Sequence, residues 1–170
     1  LQAAHGNHPF ICVWDDHEVC NDAWRLGAQN HDSAAEGSYD ARKREAMQAW
    51  FEWLPVRPPV EDDQNIIYRN FKFGDLLELY MLDTRHLARG NPLVLEQYLN
   101  EDGSFELNTY ETQVNNTERT LLGEDQMTWL KESMVDSSAQ WQVWGQQVLM
   151  GKMTLPGAIA TQQVAIVDYL

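Results

Sequence analysis

The 170-residue sequence predicts a mixed α/β fold. Apolar runs rich in β-formers alternate with amphipathic stretches in the order strand, helix, hairpin, helix, strand. This order favours packed α/β layers over an all-α or all-β domain. The length is usual for a single domain and sufficient to bury a core. Hydrophobic residues make up 44% and charged residues 22% of the chain, proportions that are typical of a folded globular protein.

The first half of the chain contains a predicted strand, a loop and a helix. Residues 9–14 (PFICVW) are short, apolar and followed by acidic residues, as in a buried strand that ends at a polar loop. Residues 21–40 are rich in Asn, Asp, Ser and Gly, which predicts a long loop. Residues 40–54 repeat apolar side chains at three- and four-residue spacing. We therefore expect a helix with Asp40 as its N-cap and Pro55 after its end.

The second half contains a predicted hairpin, a helix and a final strand. Residues 66–82 place two apolar runs around Gly74, and a Gly at the first central position suits a type II′ turn. Residues 92–120 are polar and predict an irregular surface excursion. Residues 123–135 predict an amphipathic helix, and residues 140–150 predict a further strand. We expect one face of this helix to carry Met127, Leu130 and Met134.

The charge balance excludes one class of function. The chain has 12 Lys and Arg against 26 Asp and Glu, a formal charge of −14. Such a surface repels phosphate backbones, so we expect no nonspecific nucleic-acid binding. A small anionic substrate stays compatible with this charge, because a bound metal cation reverses the local field.

The sequence offers no membrane span and looks incomplete at both ends. No stretch approaches the roughly 18 apolar residues that a transmembrane helix needs. The chain starts without Met and without a signal-peptide pattern, and it stops inside the apolar run QQVAIVDYL. We therefore expect it to be a piece of a longer protein.

The segment most indicative of chemistry directly follows the first predicted strand, where Asp15, Asp16, His17 and Glu18 are consecutive. Ligand sites of α/β sheets lie beyond the carboxyl ends of strands. Crowded carboxylates repel one another unless a cation offsets them, and carboxylates with an imidazole suit Ca²⁺, Mg²⁺, Mn²⁺, Fe or Zn. A solvated loop or a helix N-cap explains the same residues, so both interpretations stay open here.

Other residues also carry two interpretations. Arg85 could clamp an anionic substrate through paired hydrogen bonds, but an ion pair with Asp83 that organises the loop is the favoured alternative. Cys20 could be a soft metal ligand, but a small buried hydrophobe is favoured. His5 and His8 fall in the segment leading into the first strand and are not expected to bind metal.

The segment WDDHEVCND, residues 14–22, resembles a signature of the PhoD-like alkaline phosphatase family. Four more blocks resemble that family in the same order, and together the five span nearly the whole chain. They are EWLPVRP (52–58), YRNFKFGDLLELYMLDTR (68–85), LLGEDQMTWL (121–130) and WQVWGQQVLM (141–150).

The resemblance implies a fold and an activity. The family is similar to the calcineurin-like metallophosphatases, whose fold is two packed mixed β-sheets flanked by helices, incomplete in this chain. Residues 1–170 would be the central part of a single catalytic domain. The implied function is metal-dependent hydrolysis of small phosphate monoesters or diesters, with Fe, Ca, Mn or Zn ions as cofactors. Export to the periplasm or the medium is implied as well.

The resemblance also assigns roles within the DDHE segment. Asp16 takes the Asn position of the Gly-Asn-His-Glu loop in related metallophosphatases and would bind metal. His17 would contact the phosphoryl group and protonate the leaving oxygen, while metal ions generate a hydroxide nucleophile. Asp15 would be an outer acceptor or a further ligand, and Arg85 is the candidate for substrate binding.

Two functions compete with a phosphoesterase. One is a noncatalytic acidic Ca²⁺-binding module, but its DxDxDG-type ligand loop is absent from the sequence. The other is a degenerate relative that kept the fold and lost turnover. The family's GD motif before this region and its GDxH motif after it are also absent. The chain alone is therefore not expected to complete a two-metal site.

This expectation is testable on the isolated 170-residue chain. We expect it to bind metal weakly and to hydrolyse p-nitrophenyl phosphate negligibly, because ligands from the missing motifs are needed. The assay measures p-nitrophenol release with each candidate metal added, beside the full-length protein that the gene encodes. Robust turnover by the isolated chain would contradict the expectation.

Overall fold

A computed structural model describes residues 2–149 and confirms the mixed α/β fold. The described part contains a three-stranded sheet, in the order β1-β2-β3, together with helices before and after the hairpin. The strands are β1 (Arg69–Phe73), β2 (Leu77–Met81) and β3 (Trp141–Gly145). The helices are α1 (Gln2–Asn7), α2 (Ser33–Glu36), α3 (Tyr39–Trp53), α4 (Leu107–Val114) and α5 (Glu124–Val135). None of these helices has both the length and the apolar character needed to cross a membrane.

The predicted hairpin is confirmed. Strands β1 and β2 pair antiparallel, with Arg69 opposite Met81 and Phe73 opposite Leu77. The connection spans residues 74–76, and Gly74 has a φ of 57°, a conformation that a side chain disfavours. The Leu76 amide donates to the Phe73 carbonyl at 3.3 Å and closes the turn.

The strand predicted at residues 140–150 is confirmed only over β3, because residues 146–149 are not in a strand and residue 150 lies outside the described residues. It pairs parallel with β2, with Leu77 opposite Trp141 and Met81 opposite Gly145. Parallel pairing brings the carboxyl ends of both strands to the same edge of the sheet. The residues that follow β2 and β3 therefore meet there.

Helix α3 confirms the predicted helix, but its N-cap differs from the prediction. Ser38 is the N-cap, and Asp40 lies in the first turn. A carboxylate there still interacts favourably with the helix dipole, which explains why the sequence suggested a cap. Met47 and Trp50 of α3 are buried, and the chain leaves the helix at Leu54 in an extended conformation.

The predicted strand at residues 9–14 is wrong as a strand. The segment has no strand partner among residues 2–149, although Trp14 is buried against Met47 and Trp50 as its apolar character predicts. The Cys12 carbonyl accepts a hydrogen bond from the Arg69 side chain at 2.6 Å. A strand pairs its backbone groups with those of a neighbouring strand, but here the Arg69 side chain is the partner of the Cys12 carbonyl.

Two predicted irregular stretches contain short helices. Residues 21–40 are mostly loop, but α2 lies within them, and the Asp32 carboxylate accepts the Ala34 amide at its start. Residues 92–120 contain a 3₁₀ helix at Leu95–Tyr98 and the helix α4. The pattern of residues 92–120 did not reveal these elements, because their apolar contacts come from a few aromatic residues that are far apart in the sequence: Tyr98, Phe105 and Tyr110.

Helix α5 confirms the predicted helix at residues 123–135 but presents a rotated face. Leu130 is buried in a cluster with Tyr80 and Leu82, and Met134 packs at its edge. Met127 is 37% exposed, contrary to the prediction, while Gln126 is fully buried. Hydrophobicity alone misplaced the face, because Gln126 occupies an inward position for a polar reason described below.

Candidate active site

Asp83 organises the polar edge of the sheet. Its side chain is fully buried two residues after β2. One carboxylate oxygen accepts the backbone amides of Arg85 and His86, both at 2.8 Å. The other accepts the Trp14 indole N–H at 2.9 Å. Asp83 therefore ties the segment after β2 to the segment that leads into the DDHE residues, 69 residues earlier in the chain.

A buried glutamine supports the same strand end from α5. The Gln126 side-chain oxygen accepts the Asp83 amide at 2.8 Å, and its nitrogen donates to the Asp83 carbonyl at 2.8 Å. The same nitrogen donates to the Leu122 carbonyl at 3.1 Å. This pairing satisfies backbone groups of the residue after the strand, which otherwise would be buried without partners. It explains why α5 turns a polar residue inward.

Arg85 connects the strand end to the DDHE loop. Its side chain is 6% exposed, and its Nε donates to the Asp15 carboxylate at 2.7 Å. The other two guanidinium nitrogens lie 3.5 Å from an Asp16 oxygen and 3.6 Å from an Asp22 oxygen. The favoured sequence interpretation, an ion pair between Asp83 and Arg85, is therefore wrong. Asp83 binds the Arg85 backbone, and the guanidinium reaches three other carboxylates.

Asp16 closes the loop that carries the candidate residues. Its carboxylate accepts the Asp22 amide at 2.6 Å, and its carbonyl accepts the Val19 and Cys20 amides at 2.9 and 2.8 Å. Burial would raise the pKa of Asp16, but the Asp22 amide and the Arg85 charge outweigh it and lower the pKa. Asp16 is therefore ionised at neutral pH.

His86 lies beneath this loop. It is 1% exposed, and its Nε2 donates to the Asp15 carbonyl at 2.8 Å. Because a carbonyl can only accept, Nε2 carries the proton. The Nδ1 atom is buried without a hydrogen-bond partner among the described residues. Burial lowers the pKa of His86 and outweighs the opposing charge of Asp83, so the imidazole is neutral in the folded protein.

His17 is the exposed member of the loop. Its side chain is 76% exposed, and its Nε2 lies 2.8 Å from the Asn21 side-chain oxygen. The Asn21 nitrogen donates to the Gln29 side-chain oxygen and to Asp22, which fixes the orientation of the amide. The amide oxygen therefore accepts from His17 Nε2–H. The neutral ring therefore carries its hydrogen on Nε2 and none on Nδ1.

The remaining DDHE residue has a structural role. A Glu18 carboxylate oxygen accepts the Asp15 amide at 2.7 Å and closes the start of the loop.

Cys20 is buried in a cluster that includes Val19, as favoured from the sequence, and its thiol donates to Asn30 at 2.8 Å. His5 lies in α1 and stacks on Phe10, so the structure gives it a packing contact.

The described residues do not fit a complete metal centre by themselves. Within residues 2–149 no group of three His, Cys, Asp or Glu side chains is placed to hold an ion. The carboxylates of Asp15 and Asp16 face the Arg85 guanidinium instead. Three carboxylates surround this one positive group, so the local charge is negative, but a cation there would also meet the charge of Arg85. Assignment of Asp15 and Asp16 as ligands stays a prediction.

Sequence reasoning found the loop but missed two residues that hold it. Gln126 and His86 were not predicted, because a buried polar residue has no periodic signature of its own. One signal was available for Gln126, since it breaks the apolar face of a predicted helix. The role of His17 and substrate binding by Arg85 stay predictions, although the structure brings Arg85 and the loop together.

The mixed α/β fold thus places an acidic loop and an exposed histidine beside the end of β2. Comparisons with known proteins identify the family. The sequence model described as PhoD-like phosphatase matches residues 1–169, so the chain belongs to the PhoD-like phosphatase family.

Two relatives agree with this membership. The chain is 33% identical over 156 residues to alkaline phosphatase D of Bacillus subtilis strain 168. The matched region covers 89% of this chain and 24% of that protein. It also resembles the solved structure of PhoD with a TM-score of 0.67 and 30% identity, over 89% of this chain and 27% of that one. The chain thus spans about a quarter of the length of these relatives.

The neutral state of buried His86 predicts a pH-dependent stability. The unfolded chain binds a proton below a pKa of about 6.5, whereas the lowered pKa of the folded state keeps the ring neutral there. The unfolded state then binds more protons, so the free energy of unfolding falls as the pH drops from 7 to 5, by up to about 1.4 kcal/mol per pH unit.

Urea unfolding of the full-length protein across this pH range checks the prediction. The matched variant is His86→Gln, which keeps a side-chain N–H donor but does not titrate. We expect a smaller slope of stability against pH in the variant. Equal slopes for the two proteins would contradict a neutral buried His86.

Proposed function

We propose that the protein is a metal-dependent hydrolase of phosphate esters, with the loop at residues 15–22 in its active site. Membership of the PhoD-like phosphatase family supports hydrolysis of phosphate esters. The name of the Bacillus subtilis relative, alkaline phosphatase D, supports the same class. Metal dependence and export rest on the family resemblance alone.

The observation that supports the loop most strongly is the placement of His17. The ring is largely exposed, yet Asn21 holds it at 2.8 Å, and Asn21 is itself held by Gln29 and Asp22. Hydrogen bonds of this kind add little stability at an exposed histidine. A general acid, in contrast, must be held in one orientation. We propose that protonated His17 donates a proton to the leaving oxygen of the substrate.

An ion cluster around the buried Arg85 supports the loop that carries this histidine. Arg85 is held by Asp15, Asp16 and Asp22, and the Asp83 carboxylate fixes the backbone from which Arg85 extends. In the proposal, a phosphoryl group approaches the loop from the exposed side, next to His17. Contact of Arg85 with the substrate requires its partial release from the carboxylates.

The ligand set and the domain belong to the same proposal. We propose Asp16, and secondarily Asp15, as metal ligands, with further donors from residues beyond 2–149. The ion is Fe, Ca, Mn or Zn. We also propose that residues 1–170 form the central part of a single catalytic domain and that the substrate is a small phosphate monoester or diester.

Replacement of His17 tests the proposed role. In the full-length protein, His17→Ala is expected to lower kcat for p-nitrophenyl phosphate about 10²- to 10⁴-fold, the usual contribution of a general acid. Metal content is expected to stay unchanged, because His17 is proposed to handle a proton and not the ion. Steady-state kinetics and elemental analysis are the two measurements.

The matched control is His8→Ala, which removes an exposed histidine outside the loop. Its kcat and metal content are expected to equal those of the unmodified protein. Unchanged turnover in His17→Ala would remove this residue from the mechanism. Loss of metal together with turnover would instead make His17 a ligand.

A further inference from the structure

A cavity with two arginines among mainly apolar walls lies beside the segment that follows Arg85. It has a volume of about 360 Å³, in the range of small-molecule sites. Three segments form it: residues 89–93, the region from α4 to residue 121, and residues 148–149. Its walls combine two arginines and a tyrosine with apolar side chains, among them Arg89, Arg119, Tyr110, Leu93, Val114 and Val148.

The charge of this cavity is opposite to that of the chain. Acidic residues outnumber basic ones by 26 to 12 in the sequence, yet no Asp or Glu side chain of residues 2–149 lines the cavity. Arg89 and Arg119 both line it, and neither forms an ion pair within the part of the chain that the structure describes. The carboxylates of Asp15, Asp16 and Asp22 act on Arg89 only from beyond ion-pair distance, so an anion in the cavity would give the two arginines a direct counter-charge.

Arg89 shows most clearly that a partner is lacking. The residue is only 8% exposed, and its Nη1 atom is buried with no hydrogen-bond partner among residues 2–149. A buried guanidinium without hydrogen bonds is costly, so such groups are normally paired. Burial and the charge of Arg85 lower the pKa of Arg89, and the opposing charges of Asp22, Asp16 and Asp15 do not fully offset this effect. A bound anion would offset it.

The backbone holds the two arginines at one place. The Gly90 amide donates to the Thr120 carbonyl at 3.0 Å, which joins the residue after Arg89 to the residue after Arg119. The Arg119 guanidinium donates to the Asn91 carbonyl at 3.0 Å and crosses between the same segments. The site is therefore ordered before a ligand arrives, which lowers the entropic cost of binding.

The apolar walls restrict the kind of anion. The Tyr110 ring packs edge-on against Tyr98 with centroids 5.2 Å apart and so is fixed as a wall. Leu93, Val114 and Leu121 also line the cavity. An inorganic ion would leave these surfaces without contacts, whereas an organic anion would bury them.

We propose that this cavity binds a small organic anion, with its carboxylate or phosphonate-type head group on Arg89 and Arg119 and its apolar body against Leu93 and Val114. None of residues 15–22 lines the cavity, and the proposal stands whether or not that loop is catalytic.

Binding of benzoate and of phenylphosphonate to the full-length protein tests the proposal and distinguishes the two head groups. Neither compound is an ester, so neither can be hydrolysed. We expect calorimetry to show binding of at least one of them, and no binding of neutral benzyl alcohol. Arg119→Gln is expected to weaken that binding by at least about tenfold, because it removes a charged hydrogen-bond donor.

The matched control is Arg44→Gln, which makes the same change of charge at an exposed position of α3. It is expected to bind like the unmodified protein. Val114→Glu is a second variant at an exposed position of α4, where the new carboxylate would compete for the arginines. We expect it to abolish binding.

Two results would overturn the proposal. One is the absence of binding of either anion at millimolar concentration to the unmodified protein. The other is equal affinity in the unmodified protein, Arg119→Gln and Val114→Glu, since binding would then lie elsewhere. Loss of binding in His17→Ala, with Arg119→Gln unaffected, would place the anion at the loop and also overturn it.

Discussion

The buried carboxylate of Asp83 is the interaction on which the described structure depends. A fully buried carboxyl group is tolerated only when hydrogen bonds replace its hydration. Asp83 receives three, from the Trp14 indole and from the amides of Arg85 and His86. These donors belong to two segments far apart in sequence. Satisfying one carboxylate therefore brings the end of β2 against the start of the DDHE loop.

The candidate site follows from this junction. With their backbone fixed by Asp83, Arg85 and His86 both extend to Asp15, the first through its guanidinium and the second through a bond to the Asp15 carbonyl. The loop is thus supported from below by buried groups, while His17 stays exposed on its outer side. This separation of a rigid support from an accessible group is what a catalytic loop requires.

Local patterns predicted what local forces determine. Helix α3, the hairpin at Gly74 and β3 were predicted because periodicity and turn chemistry act over a few residues. Residues 9–14 were not a strand, since pairing depends on a neighbouring backbone that no pattern reveals. Likewise an ion pair of Arg85 with Asp83 was expected from the sequence, whereas the guanidinium lies against Asp15, Asp16 and Asp22. Partner choice depends on tertiary contacts across about 70 residues.

The link between Trp14 and Asp83 is best tested by a double-mutant cycle on the urea unfolding of the full-length protein. The cycle combines Trp14→Phe, which removes the indole N–H, with Asp83→Ala. A coupling energy of about 1–3 kcal/mol is predicted, the usual cost of an unsatisfied buried group. Trp53→Phe is the control at a tryptophan that is 85% exposed, and it should add to Asp83→Ala within about 0.5 kcal/mol. Simple additivity of Trp14→Phe and Asp83→Ala would contradict this account.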